Sequence, residues 1–524
     1  MIHNDDARTL ADLPRVHARR GAKAALVFGE RRTTFAELDI KSNQVANALL
    51  ADGIAPGARI AILGKDSDRA FEILFGIAKV AGVSNGVNWR LAPAEIVYII
   101  NDSGAEILFV NEDCIKKAGD IADQLTTIRK IITISGRRDG WESYESWRNQ
   151  HSTVDPQIAT DPEDAAVQMY TSGTTGRPKG VQLAHRSFFA IVSELKRHGD
   201  PWIGWNESDV ALHNIPAFHI GGLWWAMTAL SAGATLIIMD AFVANAAIEL
   251  IARNRVTKAC MVPAMIQMCI SEPAARTAHF SSLQYIVYGG SPIPTPLLTS
   301  AMQIFKCKFA QIYGLTETGN TAVCLRAPDH DISNPARLRA AGKAYPGVDI
   351  CCIDRSGNRL APGQIGEICI KSPANMIGYW KQPEATSKTL VNGWIHTGDA
   401  GYLDADGYVY ICDRVKDMII SAGENIYPAE IENILCSHDA VAEAAVIGVP
   451  DERWGEQVKA FVVLKPGARA SAGEILSFAR KSIADFKVPR SVVFVDSLPR
   501  TPSGKVKKRE LREPFWQGRD RQVN

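Results

Sequence analysis

The pattern of hydrophobic and polar positions predicts strands and helices that alternate over most of the chain. The apolar run at residues 24–28 predicts a buried strand, and the periodicity of residues 70–81 predicts a helix. Thr34 and Glu37 have the spacing of a capping box, so we expect a helix to begin after Thr34. The alternation continues to about residue 330 and indicates an α/β architecture in which helices cover the sheets.

The pattern changes after residue 348, where the apolar runs become short and are separated by Gly and Asp turns. This change predicts a small β subdomain, and the acidic turn at residues 404–407 predicts a hairpin rather than a calcium loop. Beyond Arg414, a helical pattern at residues 428–435 and an apolar run at residues 442–449 predict a separate small α+β unit.

Composition and charge exclude several classes of protein. A chain of 524 residues is too long for a single hydrophobic core, so two or more domains are expected. The formal net charge is +1, with no run of like charges, which gives no electrostatic reason to expect a nucleic-acid partner. The polar N-terminus argues against a secretory signal, and the ten cysteines contain no C-x-x-C pair. We therefore expect a cytoplasmic enzyme with reduced, mostly buried thiols and neither a disulfide framework nor a zinc site.

One apolar segment, residues 220–239, carries no charged side chain and is long enough to cross a bilayer. Its glycines stand in turn-like settings, and it ends in a strand-like run of apolar residues. We therefore predict a buried helix followed by a buried strand and no transmembrane segment.

The strongest candidate for chemistry is a loop rich in glycine and hydroxyl side chains. Its candidate ligand-binding residues are Thr171, Ser172, Gly173, Thr174, Thr175, Gly176 and Lys179. Glycines let the backbone approach a ligand closely, and hydroxyls with a lysine suit a polyphosphate. The loop is not a Walker A motif, because the required Lys-Ser/Thr pair is missing. By composition alone, a solvated turn between two strands is an equally good interpretation.

Other loops also carry side chains that are unusual for ordinary turns. They are the stretches at residues 288–292, 311–318, 396–399, 413–417 and 502–505. Each of them alone is compatible with a surface turn, a solvated acid at a helix start or a surface lysine.

Together and in this order, these motifs resemble the adenylate-forming superfamily, which comprises acyl-CoA synthetases, adenylation domains and luciferases. The resemblance extends from about Arg32 to Leu511. Within the superfamily, the sequence is most similar to bacterial fatty-acyl-CoA ligases, and residues 418–428 are part of this similarity. It implies that ATP transfers AMP to a carboxylate and that a thiol then attacks the mixed anhydride. Because a carboxylate is negative and a poor electrophile, metal and lysine charges should dominate catalysis. The implied cofactors are ATP, Mg²⁺ and CoA.

The resemblance also implies a role for individual residues. The loop 171–179 would hold the β- and γ-phosphates, Thr316 would touch the α-phosphate, and Glu317 would bind Mg²⁺. The ribose hydroxyls would bind Asp399 and Arg414. The adenine slot and its border would be formed by Gly290, Ser291, Pro292, Gln311, Ile312, Tyr313 and Gly314.

The resemblance implies two domains, residues 1–415 and residues 416–524, with a hinge at Lys416. The expected fold is α/β: a large N-terminal domain of helix-covered sheets with a small β-barrel-like subdomain, and a small, mobile α+β C-terminal domain. Such enzymes run their two half-reactions in two orientations of the small domain.

Three residues of the predicted C-terminal domain would take part in these two orientations. In the first, Lys505 would bridge the α-phosphate and the substrate carboxylate. In the second, Lys505 would be withdrawn, and Ala422 and Gly423 would face the pantetheine arm, where small residues leave room for a tunnel.

The acid specificity implied by the resemblance lies around residues 216–222. His219 occupies the place of an aspartate in amino-acid-activating relatives, which disfavours an amino acid; as a candidate catalytic residue, it either gates the site or only lines it. We expect Gly221 and Gly222 to widen the pocket and apolar neighbours to favour a hydrophobic acid. A medium- or long-chain fatty acid is preferred, with an aryl or alicyclic acid as the alternative. Trp224 and Trp225 are explained at least as well by helix packing as by ligand contact.

Three functions from different classes remain open on the sequence alone. The first is a ligase that uses ATP, Mg²⁺ and CoA; the second is an acyl-AMP ligase or adenylation module that loads a carrier protein; the third is a non-catalytic nucleotide or acyl binder. The retained phosphate, ribose and lysine motifs argue against the third. The expected partners are a small carboxylic acid, ATP and CoA, and no nucleic acid. Peripheral membrane contact stays open, and we expect a monomer or a homodimer.

Overall fold

The computed structural model of this protein describes residues 7–171, 177–414, 417–421, 424–500 and 506–517, with Arg414 and Asn425 described at the backbone only. Within these residues the chain has a mixed α/β fold, which confirms the expected fold class. A large N-terminal part holds two extended sheets, their helices and a five-stranded antiparallel sheet. A small C-terminal part holds a second five-stranded sheet with its own helices.

The α-helices of the described residues are numbered in chain order. They are α1 Asp12–His17, α2 Phe35–Ala51, α3 Asp68–Lys79, α4 Pro93–Ser103, α5 Ile115–Ile121, α6 Tyr144–Asn149, α7 Arg186–Arg197, α8 Ile220–Ser231, α9 Ala244–Arg253, α10 Pro263–Ser271, α11 Thr295–Phe305, α12 Pro383–Thr389, α13 Pro428–Cys436, α14 Ala472–Arg480 and α15 Lys508–Trp516.

The strands of the described residues are numbered in the same way. They are β1 Ala24–Phe28, β2 Arg31–Thr34, β3 Arg59–Leu63, β4 Val83–Val87, β5 Ile107–Val110, β6 Lys130–Thr133, β7 Glu142–Ser143, β8 Ala165–Thr171, β9 Lys179–Ala184, β10 Val210–His213, β11 Thr235–Ile238, β12 Lys258–Met261, β13 Tyr285–Gly289, β14 Lys308–Tyr313, β15 Val323–Leu325, β16 Lys343–Ala344, β17 Asp349–Ile353, β18 Gly366–Lys371, β19 Gly378–Tyr379, β20 Leu390–Val391, β21 Trp394–Leu403, β22 Val409–Arg414, β23 Ile419–Ser421, β24 Glu424–Ile426, β25 Val441–Asp451, β26 Gly455–Leu464 and β27 Ser491–Phe494.

The first large sheet has the order β19-β9-β8-β4-β3-β5-β6-β7. Its strands from β8 to β7 run parallel, whereas β9 is antiparallel to β8 and β19 is antiparallel to β9. The loop that follows β8 at Thr171 therefore leaves the carboxyl edge of the parallel strands and returns at Lys179. This edge is where α/β sheets bind their ligands.

The second large sheet has the order β16-β15-β14-β13-β12-β10-β11-β1-β2. Strands β14, β13, β12, β10, β11 and β1 are parallel to one another, and their neighbours at both sheet ends are antiparallel. The loops after β10, β12, β13 and β14 consequently leave one edge of the sheet together. Three of the stretches singled out in the sequence overlap these loops: residues 216–222, 288–292 and 311–318.

The two five-stranded sheets differ in topology. The first pairs β17-β18-β21-β20, with β22 also on β21, and all its pairs are antiparallel. The second pairs β24-β23-β26-β25 and adds β27 parallel to β26. Buried residues of this second sheet and of α13 and α14 form hydrophobic clusters of their own, as the α+β pattern predicted.

Several local predictions are confirmed. Residues 24–28 form β1, and the helix predicted at residues 70–81 runs from Asp68 to Lys79. Thr34 caps α2, with both hydrogen bonds of the capping box to Glu37 in place. The hairpin after Leu403 is also present, since β21 and β22 pair around it.

The long apolar segment forms the buried helix α8 followed by the buried strand β11, as predicted. Among the described residues, no helix combines the length and apolar character needed to cross a membrane.

Candidate active site

The predicted adenine segments lie side by side at the carboxyl edge of the second large sheet. Strands β13 and β14 are parallel neighbours, with Tyr288 opposite Gln311 and Gly289 opposite Ile312. A Cβ on Gly289 would lie 2.4 Å from the carbonyl oxygen of Ile312, so only glycine allows these strands to approach there. Gly290 then turns at φ +82°. The structure thus brings the segments 290–292 and 311–313 together, with exposed backbone between them.

A tight turn after β14 presents the predicted metal ligand. A Cβ on Gly314 would lie 1.8 Å from the carbonyl oxygen of Asn320, so the chain folds back closely at this point. The backbone N–H of Leu315 donates to Thr318 Oγ1 at 2.9 Å, which closes the short 3₁₀ turn Thr316–Thr318. This turn places Thr316 and Glu317 directly beyond the adenine segments.

Tyr379 connects Glu317 to the phosphate loop. Its hydroxyl donates to Glu317 Oε1 at 2.8 Å, and its ring centroid lies 4.9 Å from Lys179 Nζ. Strand β19 carries Tyr379 opposite Val181 of β9, so the first large sheet delivers this contact. Burial and the neighbouring Glu317 carboxylate raise the pKa of Tyr379 well above its ordinary value, so the hydroxyl keeps its proton and remains a donor.

The phosphate loop is anchored at its two ends. Thr171 and Lys179 pair across β8 and β9, while Ser172, Gly173, Thr174, Thr175 and Gly176 lie outside the described residues. At the Lys179 end of the loop, the hydroxyl of Tyr98 on α4 donates to the carbonyl oxygen of Pro178 at 3.2 Å. Both ends of the loop are therefore held on the same side of the site as Glu317.

The oxygen atoms around Glu317 suit a magnesium ion. Mg²⁺ prefers oxygen ligands and in nucleotide enzymes is bound by one or two carboxylates together with substrate phosphates. Glu317 offers a carboxylate with one oxygen anchored by Tyr379, and hydroxyls are offered by Thr171 at the end of β8 in the first large sheet and by Thr316 after β14 of the second. These residues fit the ion that the sequence implied.

The predicted ribose ligand Asp399 lies next to the adenine segment. Its side chain is 4% exposed, and its Oδ2 accepts a hydrogen bond of 2.7 Å from the hydroxyl of Tyr313. Asp399 of β21 also lies opposite Arg414 of β22, so the two predicted ribose ligands are neighbours on adjacent strands. The five-stranded antiparallel sheet thus contributes directly to the site.

A bulge in β21 turns Asp399 towards Tyr313. Thr397, Gly398 and Asp399 together lie opposite the single residue Ile368 of β18. The hydroxyl of Thr397 donates to the carbonyl oxygen of Ile368 at 2.7 Å and accepts from the Asp399 N–H at 3.0 Å. The Gly398 N–H donates to Glu367 Oε1 at 2.9 Å. Bulges near active sites commonly re-aim a side chain in this way.

The structure corrects the interpretation of the two glycines after His219. A Cβ on Gly222 would lie 2.2 Å from the carbonyl oxygen of Ile215, so Gly222 allows two backbone segments to cross and does not widen a pocket. At Gly221, by contrast, the nearest atom to an added Cβ is Asn320 Oδ1 at 3.6 Å. Of these two glycines, only Gly221 therefore borders free space.

The tryptophans that follow belong to the core. Trp224 and Trp225 are 4% and 1% exposed, and the indole N–H of Trp225 donates to the carbonyl oxygen of Leu212 at 3.0 Å. The ring of Trp224 packs on Trp202, with the ring centroids 5.6 Å apart. Of the two interpretations of these tryptophans, helix packing is the one that the structure supports.

Asp66 holds the loop that leads to His219, a candidate residue of the predicted acid site. His219 precedes the first turn of α8, and its ring centroid lies 4.6 Å from that of Phe218. The loop before it is held by Asp66, whose Oδ2 accepts from the Ala217 N–H at 2.9 Å and lies 2.8 Å from His213 Nε2. Sequence reasoning missed Asp66, because an aspartate after an apolar strand is too common to stand out.

His185 has a structural role. It is buried, its Nδ1 accepts a hydrogen bond of 3.1 Å from the Leu10 N–H, and burial lowers its pKa to about 4. A buried, neutral imidazole that accepts a backbone hydrogen bond stabilises the packing of the N-terminal segment.

The remaining predicted residues, Lys416, Ala422, Gly423 and Lys505, lie outside the described residues. The C-terminal part contacts Asp413 of β22 through Lys508 Nζ at 3.4 Å and the Ala429 N–H at 3.0 Å. Within the C-terminal part, Lys508 Nζ lies 2.9 Å from Glu432 Oε1, and Arg512 pairs with Asp417 at 2.9 Å.

Comparisons with known proteins agree with one another. The sequence profile of the AMP-binding enzyme family matches residues 13–380, and that of the AMP-binding enzyme C-terminal domain matches residues 430–505. The chain is 47% identical over 527 residues to the fatty acid–[acyl-carrier-protein] ligase ScoC of Streptomyces coeruleorubidus, with 100% of this chain and 99% of the relative covered.

Two further similarities come from a second curated relative and a solved structure. An indoleacetate–CoA ligase of Aromatoleum aromaticum is 36% identical, with 94% of this chain and 95% of the relative covered. The crystal structure of the anthranilate CoA ligase AuaEII in complex with anthranoyl-AMP is similar with a TM-score of 0.89 at 27% identity, over 97% of both chains.

Proposed function

The chain belongs to the family of AMP-binding enzymes, and on this premise we propose that it activates a fatty acid as the acyl adenylate and transfers the acyl group to a carrier-protein thiol. Its curated relatives are named as acid–thiol ligases, which places this chain in that enzyme class, with ATP binding implied by the family. The fatty acid and the carrier protein are the proposed part. Both are supported by the relative that is 47% identical over the full chain and is named for these two substrates.

The observation that carries the adenylation step of the proposal is the convergence of three segments at one place. Tyr379 joins Lys179 to Glu317, and Tyr313 joins the adenine segment to Asp399. Side chains that bind the polyphosphate, the metal ion and the ribose of a single nucleotide must lie within the length of that nucleotide. Such a constellation is a far more specific signal than any one of its loops.

In the first half-reaction, a carboxylate oxygen of the fatty acid attacks the α-phosphorus of ATP, and pyrophosphate leaves. We assign Lys179 and Thr171 to the β- and γ-phosphates and Thr316 to the α-phosphate. Asp399, held by Tyr313, would accept hydrogen bonds from the ribose hydroxyls. Glu317 would hold Mg²⁺, which would neutralise charge on the phosphates.

In the second half-reaction, the thiol of the acceptor attacks the carbonyl carbon of the anhydride. The bond to AMP breaks, AMP leaves with the electron pair, and the thiol proton is released to solvent. The residues that border the acid side, Phe218, His219 and Gly221, would contact the acyl chain. We assign no proton transfer to His219, so it lines the acyl site in this proposal.

CoA is the alternative acceptor. The sequence-based expectation placed CoA first. The ScoC relative, which is 47% identical over the full chain, is named as a carrier-protein ligase and favours the carrier protein instead. The CoA alternative keeps support from relatives such as the indoleacetate–CoA ligase.

The test compares acids and thiol acceptors in one experiment. Pyrophosphate release is measured over medium- and long-chain fatty, aryl and alicyclic acids, and thioester formation is measured with holo-carrier protein and with CoA. We expect a fatty acid to be activated and the holo-carrier to exceed CoA in kcat/KM by at least about tenfold, or about 1.4 kcal/mol. Apo-carrier protein, which lacks the thiol, is the matched control.

Other outcomes would change the assignment. Faster transfer to CoA would favour the CoA ligase, and activation of aryl acids alone would replace the fatty acid by the aryl alternative. Absence of ATP-dependent pyrophosphate release with every acid would contradict the proposal as a whole.

A further inference from the structure

Three neighbouring strands of the antiparallel sheet β17-β18-β21 place metal-binding side chains in a row. Cys351 lies directly opposite Cys369, and Cys369 lies directly opposite His396. Residues directly opposite each other in an antiparallel pair project to the same face. Glu367 precedes Cys369 by two positions in β18 and therefore shares that face.

The side chains of this row are close enough to share an ion. One ligand atom from each of Glu367, Cys369 and His396 lies within 4.8 Å of the other two. His396 Nδ1 is 3.3 Å from Glu367 Oε2, a separation typical of neighbouring ligands around a tetrahedral ion. Cys351 lies directly opposite Cys369 on the neighbouring strand, so a second thiol adjoins the cluster.

We propose that this cluster is a transition-metal site for Zn²⁺, with Cys369 Sγ, His396 Nδ1 and Glu367 Oε2 as the protein ligands and a fourth position left for water. Mixed sulfur, imidazole and carboxylate ligands suit Zn²⁺, which binds each of them at about 2.0–2.3 Å in tetrahedral geometry. Binding converts the Cys369 thiol to a thiolate, and its proton passes to solvent.

An ion can reach this cluster from solvent. The side chains of Glu367 and His396 are 29% and 28% exposed, whereas Cys369 is 2% exposed and forms the floor of the site. Polar ligands at the rim over a buried thiol make a pocket that is open on one side. An ordinary surface pair of histidine and glutamate would have no thiol beneath it.

The site shares no ligand with the nucleotide site, although the two are neighbours. Glu367 Oε1 already accepts the Gly398 N–H, which leaves Oε2 as the atom that faces His396. An ion bound there would therefore fix the start of the bulge that carries Asp399. The proposal does not depend on the identity of the acid or of the thiol acceptor.

The linear spacing of the cysteines gave no hint of such a site. Cys351 on β17 and Cys369 on β18 are separated by the connection at residues 354–365, and His396 comes from a third strand. Zinc motifs that can be read from sequence have closely spaced ligand pairs, whereas strand register creates this one.

The test titrates the full-length protein, treated with a chelator and kept reduced, with Co²⁺ as a spectroscopic substitute for Zn²⁺. We expect one equivalent to bind with a sulfur-to-cobalt charge-transfer band and the intense ligand-field bands of a tetrahedral site, and Zn²⁺ to displace it. Cys369→Ser should abolish the strong charge-transfer band. His396→Gln, at a partly exposed position that leaves the core intact, should weaken Co²⁺ binding at least about tenfold.

The control and the contradicting outcomes are equally defined. Cys436→Ser removes a thiol from the C-terminal part and should leave the spectrum unchanged, because Cys436 lies on α13. A spectrum without the charge-transfer band, or one that survives in Cys369→Ser, overturns the proposal. Loss of two titratable thiols in oxidised protein, with no cobalt band after reduction, would instead indicate a Cys351–Cys369 disulfide and would also overturn it.

Discussion

At the scale of single residues, Tyr379 organises the proposed phosphate and metal end of the site. The motifs identified Lys179 and Glu317 separately, 138 positions apart by their numbers in the sequence. The structure adds the tyrosine that touches both of them. Sequence reasoning missed Tyr379, because a tyrosine before a tryptophan in a short β run resembles an ordinary core residue.

Tyr379→Phe tests this role. The change removes the hydroxyl that anchors Glu317 Oε1 and keeps the ring next to Lys179, so the carboxylate should lose its fixed orientation. A hydrogen bond to a charged group contributes about 1.5–3 kcal/mol, which predicts a rise of at least about tenfold in the KM for ATP at limiting Mg²⁺. Steady-state pyrophosphate release measures it.

The matched control is Tyr408→Phe, which removes a similar hydroxyl bond of 2.8 Å to Asp329. We expect this variant to keep the wild-type KM for ATP. An unchanged KM in Tyr379→Phe, or equal effects in both variants, would contradict the anchoring role.

At the scale of elements, the start of α8 shows why two adjacent glycines can have different functions. Both were interpreted as space in a substrate pocket. In the structure, Gly222 lies against the carbonyl oxygens of Ile215 and Pro216, while Gly221 faces Asn320 with room for a methyl group. A helix start that packs closely on the preceding loop leaves one glycine for packing and one for the pocket.

Single substitutions to alanine separate these two functions. Gly222→Ala should lower the free energy of unfolding by about 2 kcal/mol or more, because the new Cβ overlaps backbone that cannot move away. Gly221→Ala should leave stability within about 0.5 kcal/mol and should change the preferred acid. Chemical denaturation and the acid panel measure the two effects.

Each glycine variant serves as the control for the other. Equal destabilisation by both substitutions would contradict the distinction, and so would an unchanged acid preference in Gly221→Ala.

At the scale of the whole molecule, the proposed reaction requires the C-terminal part to present Lys505 to the nucleotide. In the structure, Asp413 of β22 accepts contacts from two groups of the C-terminal part, Lys508 Nζ at 3.4 Å and the Ala429 N–H at 3.0 Å. Both contacts are polar, and the Lys508 and Asp413 side chains are largely buried, so a second orientation would have to give each of these groups a new partner or water.

Lys505→Ala tests the two-orientation mechanism. The substitution should reduce adenylate formation by at least about a hundredfold, because one cation stabilises the charge that develops at the α-phosphate. It should largely spare thiolysis of a supplied acyl-adenylate, since the second half-reaction uses the other orientation. Single-turnover assays of each half-reaction measure this difference.

The matched control is Lys507→Ala, because the Lys507 side chain pairs with Glu510 at 2.7 Å within the C-terminal part. We expect it to affect neither half-reaction by more than about twofold. Equal losses in both half-reactions of Lys505→Ala would contradict the alternation and leave a general binding role.

The sequence by itself determined the local elements and the identity of the motifs. The capping box at Thr34, the strand at residues 24–28 and the helix-strand pair within residues 220–239 all depend on short-range periodicity and hydrogen bonds. The motif residues Lys179, Glu317 and Asp399 were identified through the family resemblance, which could be seen because each motif lies within a few positions of the sequence.

Only the tertiary structure decided which of these residues meet and how. Tyr313 reaches Asp399 across 86 positions, and Glu367, Cys369 and His396 meet because of strand register and a bulge. Register and the packing of sheets depend on contacts that are remote in sequence, so no local pattern encodes them. The anchoring tyrosine, the packing role of Gly222 and the proposed metal cluster therefore became visible only in the folded chain.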